Sequence, residues 1–153
     1  MKLIILHGPE NSGKTSTLEV VYERLKRISV SEPYFEYVDV LRDFNAVLEI
    51  DKKKIRQLKC DLCSPIRVGI VTQGDYVKGA NSVYNHLEKM LKEKCDIVFC
   101  ACSEKNTRKV QPKNKIVKFV DTNKSIVEDP IYKAQRIICY SVQDLLNIFI
   151  NIC

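Results

Sequence analysis

The chain has 153 residues, 45% of them hydrophobic and 29% charged, which is the composition of one globular domain with an ordinary core and predicts a single domain over 1–153. No apolar run approaches the roughly 18 residues that a membrane-spanning helix needs, so a membrane role is not expected. The net charge of +6, from 25 Lys and Arg against 19 Asp and Glu, suits either a lysine-solvated surface or a polyanionic partner such as nucleic acid. No aromatic residues interleave with the basic groups at Lys52-Lys53-Lys54 and Lys105 to Lys118, as a single-strand stacking platform would require.

The chain enters at once into Lys2-Leu3-Ile4-Ile5-Leu6-His7, a continuous apolar run of the kind that forms a strand buried on both faces. With no leader ahead of that strand, the expected compartment is the cytoplasm. Seven cysteines then read as free thiols in a reducing setting. Cys60-Asp61-Leu62-Cys63 has CxxC spacing, so a zinc or redox site stands beside the plain structural reading.

Next come Gly8-Pro9-Glu10-Asn11-Ser12-Gly13-Lys14-Thr15, a full match to GxxxxGK[ST]. Glycines at both ends let backbone N–H groups curl around phosphate oxygens, lysine reaches the terminal phosphates, and the hydroxyl ligates Mg²⁺. A helix is predicted behind the loop, because Leu18, Val21, Leu25 and Ile28 recur on one face and Lys26 and Arg27 close the last turn.

Strand, loop and helix in this order make the chain resemble the P-loop nucleoside triphosphatase superfamily. The resemblance implies that Gly8, Glu10, Asn11, Ser12, Gly13, Lys14, Thr15 and Ser16 bind a nucleoside triphosphate such as ATP. It also implies that Lys14 acts on the β- and γ-phosphates and that Thr15 helps to hold Mg²⁺. The fold implied is a three-layer α/β/α sandwich around a mostly parallel sheet of about five strands.

Further along, Tyr34 to Val40 has the aromatic and β-branched content of a second strand, with Asp39 near its carboxyl end. Val47 to Leu58 alternates about a polar turn and predicts a small β-hairpin insertion. Arg67 to Thr72 predicts a third core strand, a helix follows from about Lys78 to Lys94, and Asp96 to Ala101 predicts a fourth strand. Cys100 and Cys102 share a face there. A polar loop from Ser103 to Lys109 leads to a fifth strand over Lys115 to Val120. From Asp129 to Cys153 the spacing is mainly helical, although Ile137 to Tyr140 also reads as a strand with Ser141 capping a shorter helix.

Ligands of such sheets bind beyond the carboxyl ends of the strands, which predicts that the loop at Gly8, Asp39, Gly74-Asp75 and the segment Ser103 to Arg108 converge on one cleft. A second acidic group should complete the Mg²⁺ shell, and Asp75 after the third core strand is the first choice, with Asp39 as the alternative. Asp39-Val40-Leu41-Arg42 also fits an acceptor site, in which the aspartate takes a hydroxyl proton and Arg42 fixes an anionic group, with Gly74 alongside. Arg108 is placed to close over the triphosphate. His7 and His86 carry no assigned role, His86 reading as a helix-surface residue.

A Ras-type GTPase does not fit, since Asn123-Lys124-Ser125-Ile126 lacks the aspartate of NKxD and Asp75 to Gly79 is one residue too long for DxxG. The lid and arginine-rich acceptor motif of nucleoside monophosphate kinases are missing as well. Two readings therefore stand: a Mg²⁺-dependent small phosphotransferase or NTPase of unknown acceptor, and a nucleotide-responsive module that contacts a protein or nucleic acid through its lysines.

Overall fold

The computed structural model describes residues 1–7, 12–39, 43–51, 65–74, 76, 79–103, 115–121 and 147. Six strands and two helices follow in the order β1 (Lys2–His7), α1 (Lys14–Lys26), β2 (Ser29–Tyr37), β3 (Phe44–Ile50), β4 (Ile66–Val71), α2 (Val83–Lys92), β5 (Ile97–Cys102) and β6 (Lys115–Asp121). They build one sheet in the order β2-β3-β4-β5-β1-β6.

The sheet is mixed, which corrects the expected mostly parallel, five-stranded α/β/α sandwich with a hairpin insertion. β1 pairs in parallel with β5 and β6, and β4 with β5, but β2–β3 and β3–β4 run antiparallel. Only two helices, of 13 and 10 residues, occur among the described residues, apart from Asn147, which is itself helical. The physical reason lies in the connections. A parallel crossover needs a dozen or more residues, and the chain has only Val38 to Asp43 between β2 and β3, so it turns back on itself. The residues read as the first arm of an inserted hairpin, Val47 to Ile50, are the second half of β3, buried at almost every position.

Leu3 to Leu6 of β1, Val68 to Val71 of β4 and all of β5 are buried and carry no polar side chain other than cysteine, because both faces are covered. On one face Leu18, Val21, Tyr22 and Leu25 of α1 meet Ile4, Leu6, Leu48, Ile70 and Phe99. On the other, Val83, Leu87 and Met90 of α2 meet Leu3, Ile5, Val71, Val98, Cys100 and Cys102. Gly69 lets α2 settle close, since a Cβ there would lie 2.7 Å from Met90 Sδ. The helix starts at Val83, later than the expected Lys78: Gly79 takes a left-handed φ of +94°, and Ser82 caps the helix by accepting the Asn85 N–H.

β2 lies at one margin of the sheet, contains Pro33 and alternates half-buried with exposed positions. Its inner neighbour is tied further by Arg67, which donates to Glu49 and to the Glu93 carbonyl at the end of α2. No helix among the described residues is long and apolar enough to cross a membrane.

Candidate functional site

β1 and α1 flank the candidate phosphate loop. Gly8, Glu10 and Asn11 lie outside the described residues, and the chain resumes at Ser12 and Gly13. Gly13 has a φ of +83°, a left-handed conformation that costs glycine little, and its carbonyl accepts the Thr17 N–H at 2.9 Å to open α1. Lys14 and Thr15 therefore occupy the first turn, where helix N–H groups and the dipole favour an anion. Lys14 is buried, Thr15 is half-buried and Ser16 is exposed.

The Thr15 hydroxyl donates to Asp43 Oδ1 at 2.9 Å. Asp43, on the chain just ahead of β3, also accepts from the Thr72 hydroxyl at 3.0 Å. Thr72 sits immediately past the end of β4, and its oxygen in turn accepts the Phe44 N–H at 2.7 Å. The single hydroxyl proton has a second acceptor in the Phe44 carbonyl at 3.1 Å, but that carbonyl already receives the Thr72 N–H, whereas a carboxylate is the stronger acceptor. Asp43 is thus the acidic group that the structure joins to Thr15. Sequence reasoning stopped one residue short of it, at Arg42. The signal available was an aspartate directly before an apolar strand.

Asp39 is adjacent. Its Oδ1 accepts the Asp43 N–H at 3.2 Å and its Oδ2 accepts from Gln73 Nε2 at 3.3 Å. Beyond Gln73 the polar contacts continue inward, from Gln73 Oε1 to His86 Nε2 at 3.2 Å and from His86 Nδ1 to Asn45 Nδ2 at 2.8 Å. His86 is buried, not on the helix surface; burial first, and the charge of Lys89 second, push its pKa below the usual imidazole value, against an opposing bond to the Asn81 backbone. The spacing held the clue, because Val83, His86, Leu87 and Met90 form one stripe of α2.

Asp39 and Gln73 open onto a cavity of about 350 Å³, whose other walls include Tyr76, Gly79, Ala80 and Asn81. Its size lies at the small end of the range for ligand sites. Gly74 is buried and serves a close approach of main chains: a Cβ there would lie 2.1 Å from the Ala101 carbonyl oxygen, and the Gly74 carbonyl accepts the Ser103 N–H at 3.3 Å. Its glycine is explained by packing between β4 and β5.

The start of α1, the chain between β2 and β3 and the chain just past β4 thus bring together Lys14, Thr15, Asp39, Asp43, Thr72, Gln73 and Gly74. Arg42, Asp75 and Arg108 lie outside the described residues, as do Cys60 and Cys63. Among the described residues no cluster of three or more His, Cys, Asp or Glu side chains is arranged to hold a metal ion. Cys95, Cys100 and Cys102 are buried and take part in no disulfide. No protein family, curated protein or solved structure matches this chain.

Proposed function

We propose that the protein binds a nucleoside triphosphate, ATP in the first instance, together with Mg²⁺, and transfers the terminal phosphoryl group to a hydroxyl-bearing small molecule in the cleft beside Asp39. The observation that carries this reading is the contact between Thr15, in the first turn of α1, and Asp43, with Asp39 and its cleft directly adjacent. Two carboxylates next to a GK[ST] helix start divide naturally into a metal-side group and an acceptor-side group.

The donor set fits the metal. Mg²⁺ takes oxygen ligands and keeps several of its waters, so the Thr15 hydroxyl and the Asp43 carboxylate suffice as protein contacts alongside phosphate oxygens. When bound, the ion neutralises charge on the β- and γ-phosphates. Lys14 and the N–H groups of the first turn orient the triphosphate. Asp39 takes the proton of the acceptor hydroxyl as its oxygen bonds to phosphorus; the bond from phosphorus to the bridging oxygen breaks, and its electron pair leaves with the nucleoside diphosphate. The cytoplasm, rich in ATP and Mg²⁺ and kind to free thiols, is the proposed setting.

The test is Mg²⁺-dependent ATP binding and hydrolysis by the wild type and Lys14→Ala, alone and with a panel of polyols, sugars and nucleosides. Stimulation by one acceptor, lost in Lys14→Ala and in Asp39→Asn while Asp39→Asn still binds ATP, supports a phosphotransferase. Absence of ATP binding by the wild type ends the proposal.

A further inference from the structure

Three buried polar side chains stand behind Asp39, and the phosphate chemistry does not call for them. Asn45, His86 and Gln73 are 0%, 2% and 3% exposed, and each link to the next is a hydrogen bond. Burying such groups is costly unless donors and acceptors match along the whole chain.

The match has one direction. An ionised carboxylate only accepts, so Gln73 must turn its NH₂ toward Asp39 and its carbonyl toward His86. That carbonyl needs a donor, which favours the tautomer with the imidazole proton on Nε2. In that tautomer Nδ1 accepts the Asn45 amide N–H, while the Asn45 Oδ1 is buried without a partner among the described residues and the ring also bonds to the Asn81 backbone. Burial, which favours the neutral ring, agrees with this arrangement. Asn45 comes from β3, His86 from α2 and Gln73 from the end of β4, so the chain of bonds ties three elements to one carboxylate at the mouth of the cleft.

We infer that His86, acting through Gln73 and anchored by Asn45, is a positioning residue for Asp39: it fixes which way the Gln73 amide faces and thereby holds the Asp39 carboxylate toward the cleft. The role rests on the proposed phosphotransfer reading for its purpose, but the coupling itself is readable without any substrate.

The experiment compares His86→Gln, which can still donate to Gln73, with His86→Leu, which cannot donate and would suit the apolar neighbours. The first readout is the carboxyl carbon resonance of Asp39 and its titration, followed by NMR in the full chain labelled at aspartate. The second is ATP hydrolysis without acceptor, with binding of a fluorescent ATP analogue as the control. The expected result is that His86→Leu displaces the Asp39 resonance and slows hydrolysis about tenfold or more, as loss of orientation does, with analogue affinity unchanged. His86→Gln keeps both near the wild type. If His86→Leu does not fold, His86→Met, a more flexible side chain that also cannot donate, takes its place and must displace the same resonance. Equal behaviour of the Gln and Leu variants at Asp39, or an Asp39 resonance indifferent to the Leu and Met changes, overturns the inference. An Asp39 that responds to His86 in a protein without ATP hydrolysis upholds the coupling and rejects the phosphotransfer reading.

Discussion

Gly74→Ala is the most severe small change the structure offers near the site. A Cβ at this position would lie 2.1 Å from the Ala101 oxygen, 2.4 Å from the Ala101 carbonyl carbon and 2.7 Å from the Cys102 nitrogen. All three are main-chain atoms of β5, so no rotamer change relieves the overlap, and the chains must part by about 1 Å or more to reach ordinary contact. Overpacking of this kind costs about 1–3 kcal/mol, and a rigid strand as neighbour places the cost at the top of that range, with the bond from Ser103 to Gly74 strained as well. For a chain of this length about 3 kcal/mol lowers the melting temperature by roughly 6–12 °C. Gly69→Ala is the internal control. Its Cβ would meet Met90 Sδ at 2.7 Å and the side-chain ends of Cys95 and Val98 at 3.1 Å, and a flexible methionine can yield for about 1 kcal/mol. Thermal melts and urea midpoints of the two variants side by side decide the matter. A Gly74→Ala protein that melts as high as Gly69→Ala would refute the close approach of β4 and β5.

Asp43→Ala removes the partner of both Thr15 and Thr72, and Mg²⁺-dependent nucleotide affinity should fall about tenfold or more while the Mg²⁺-independent component holds; titration at several Mg²⁺ concentrations reads this. His86 supplies a pH dependence. Its folded pKa lies below the unfolded value of 6.5, so the unfolded chain binds the extra proton first, and stability, full above about 6.5, declines as pH falls toward the folded value, with a slope of at most about 1.4 kcal/mol per pH unit. Urea midpoints between pH 7.5 and 5.5 should show this decline in the wild type and a shallower one in His86→Gln; equal slopes would assign it to other groups. Cys95 has its thiol pushed up to about 12, chiefly by burial, and Cys100 is raised as well, so both should resist iodoacetamide in the native protein at pH 8 and react on unfolding, as peptide mass mapping would reveal.

Much of the strand content was legible. Leu3 to Leu6 and Ile97 to Cys100 are apolar at every position because both faces are covered, and that is visible in one dimension. Strand direction was not. The composition of Tyr34 to Tyr37 is the same for a parallel or an antiparallel neighbour, and only the short link from Val38 to Asp43 carried the information. At the site, the GK[ST] pattern located Lys14 and Thr15, and Asp39 stood out as an acid at a strand end. Asp43 and Gln73 gain their partners from residues 28 and 34 positions away, separations that no local pattern encodes. Gly74 looked like part of a binding turn because its neighbour, the Ala101 carbonyl, belongs to another strand.

The place of β1 within the sheet also sets a clock. Its hydrogen-bonding neighbours begin at Ile97 and Lys115, whereas β2, β3 and β4 pair with strands nearby in the sequence. At ribosomal speed about 5–20 s separate the appearance of Leu3 from that of its partner Val98. During that interval the meander can assemble by itself, while the first strand, with its apolar run Leu3 to Leu6, waits unpaired. Lys14 and Thr15 follow shortly after that strand in the chain, so both are made well before the strands that complete their setting.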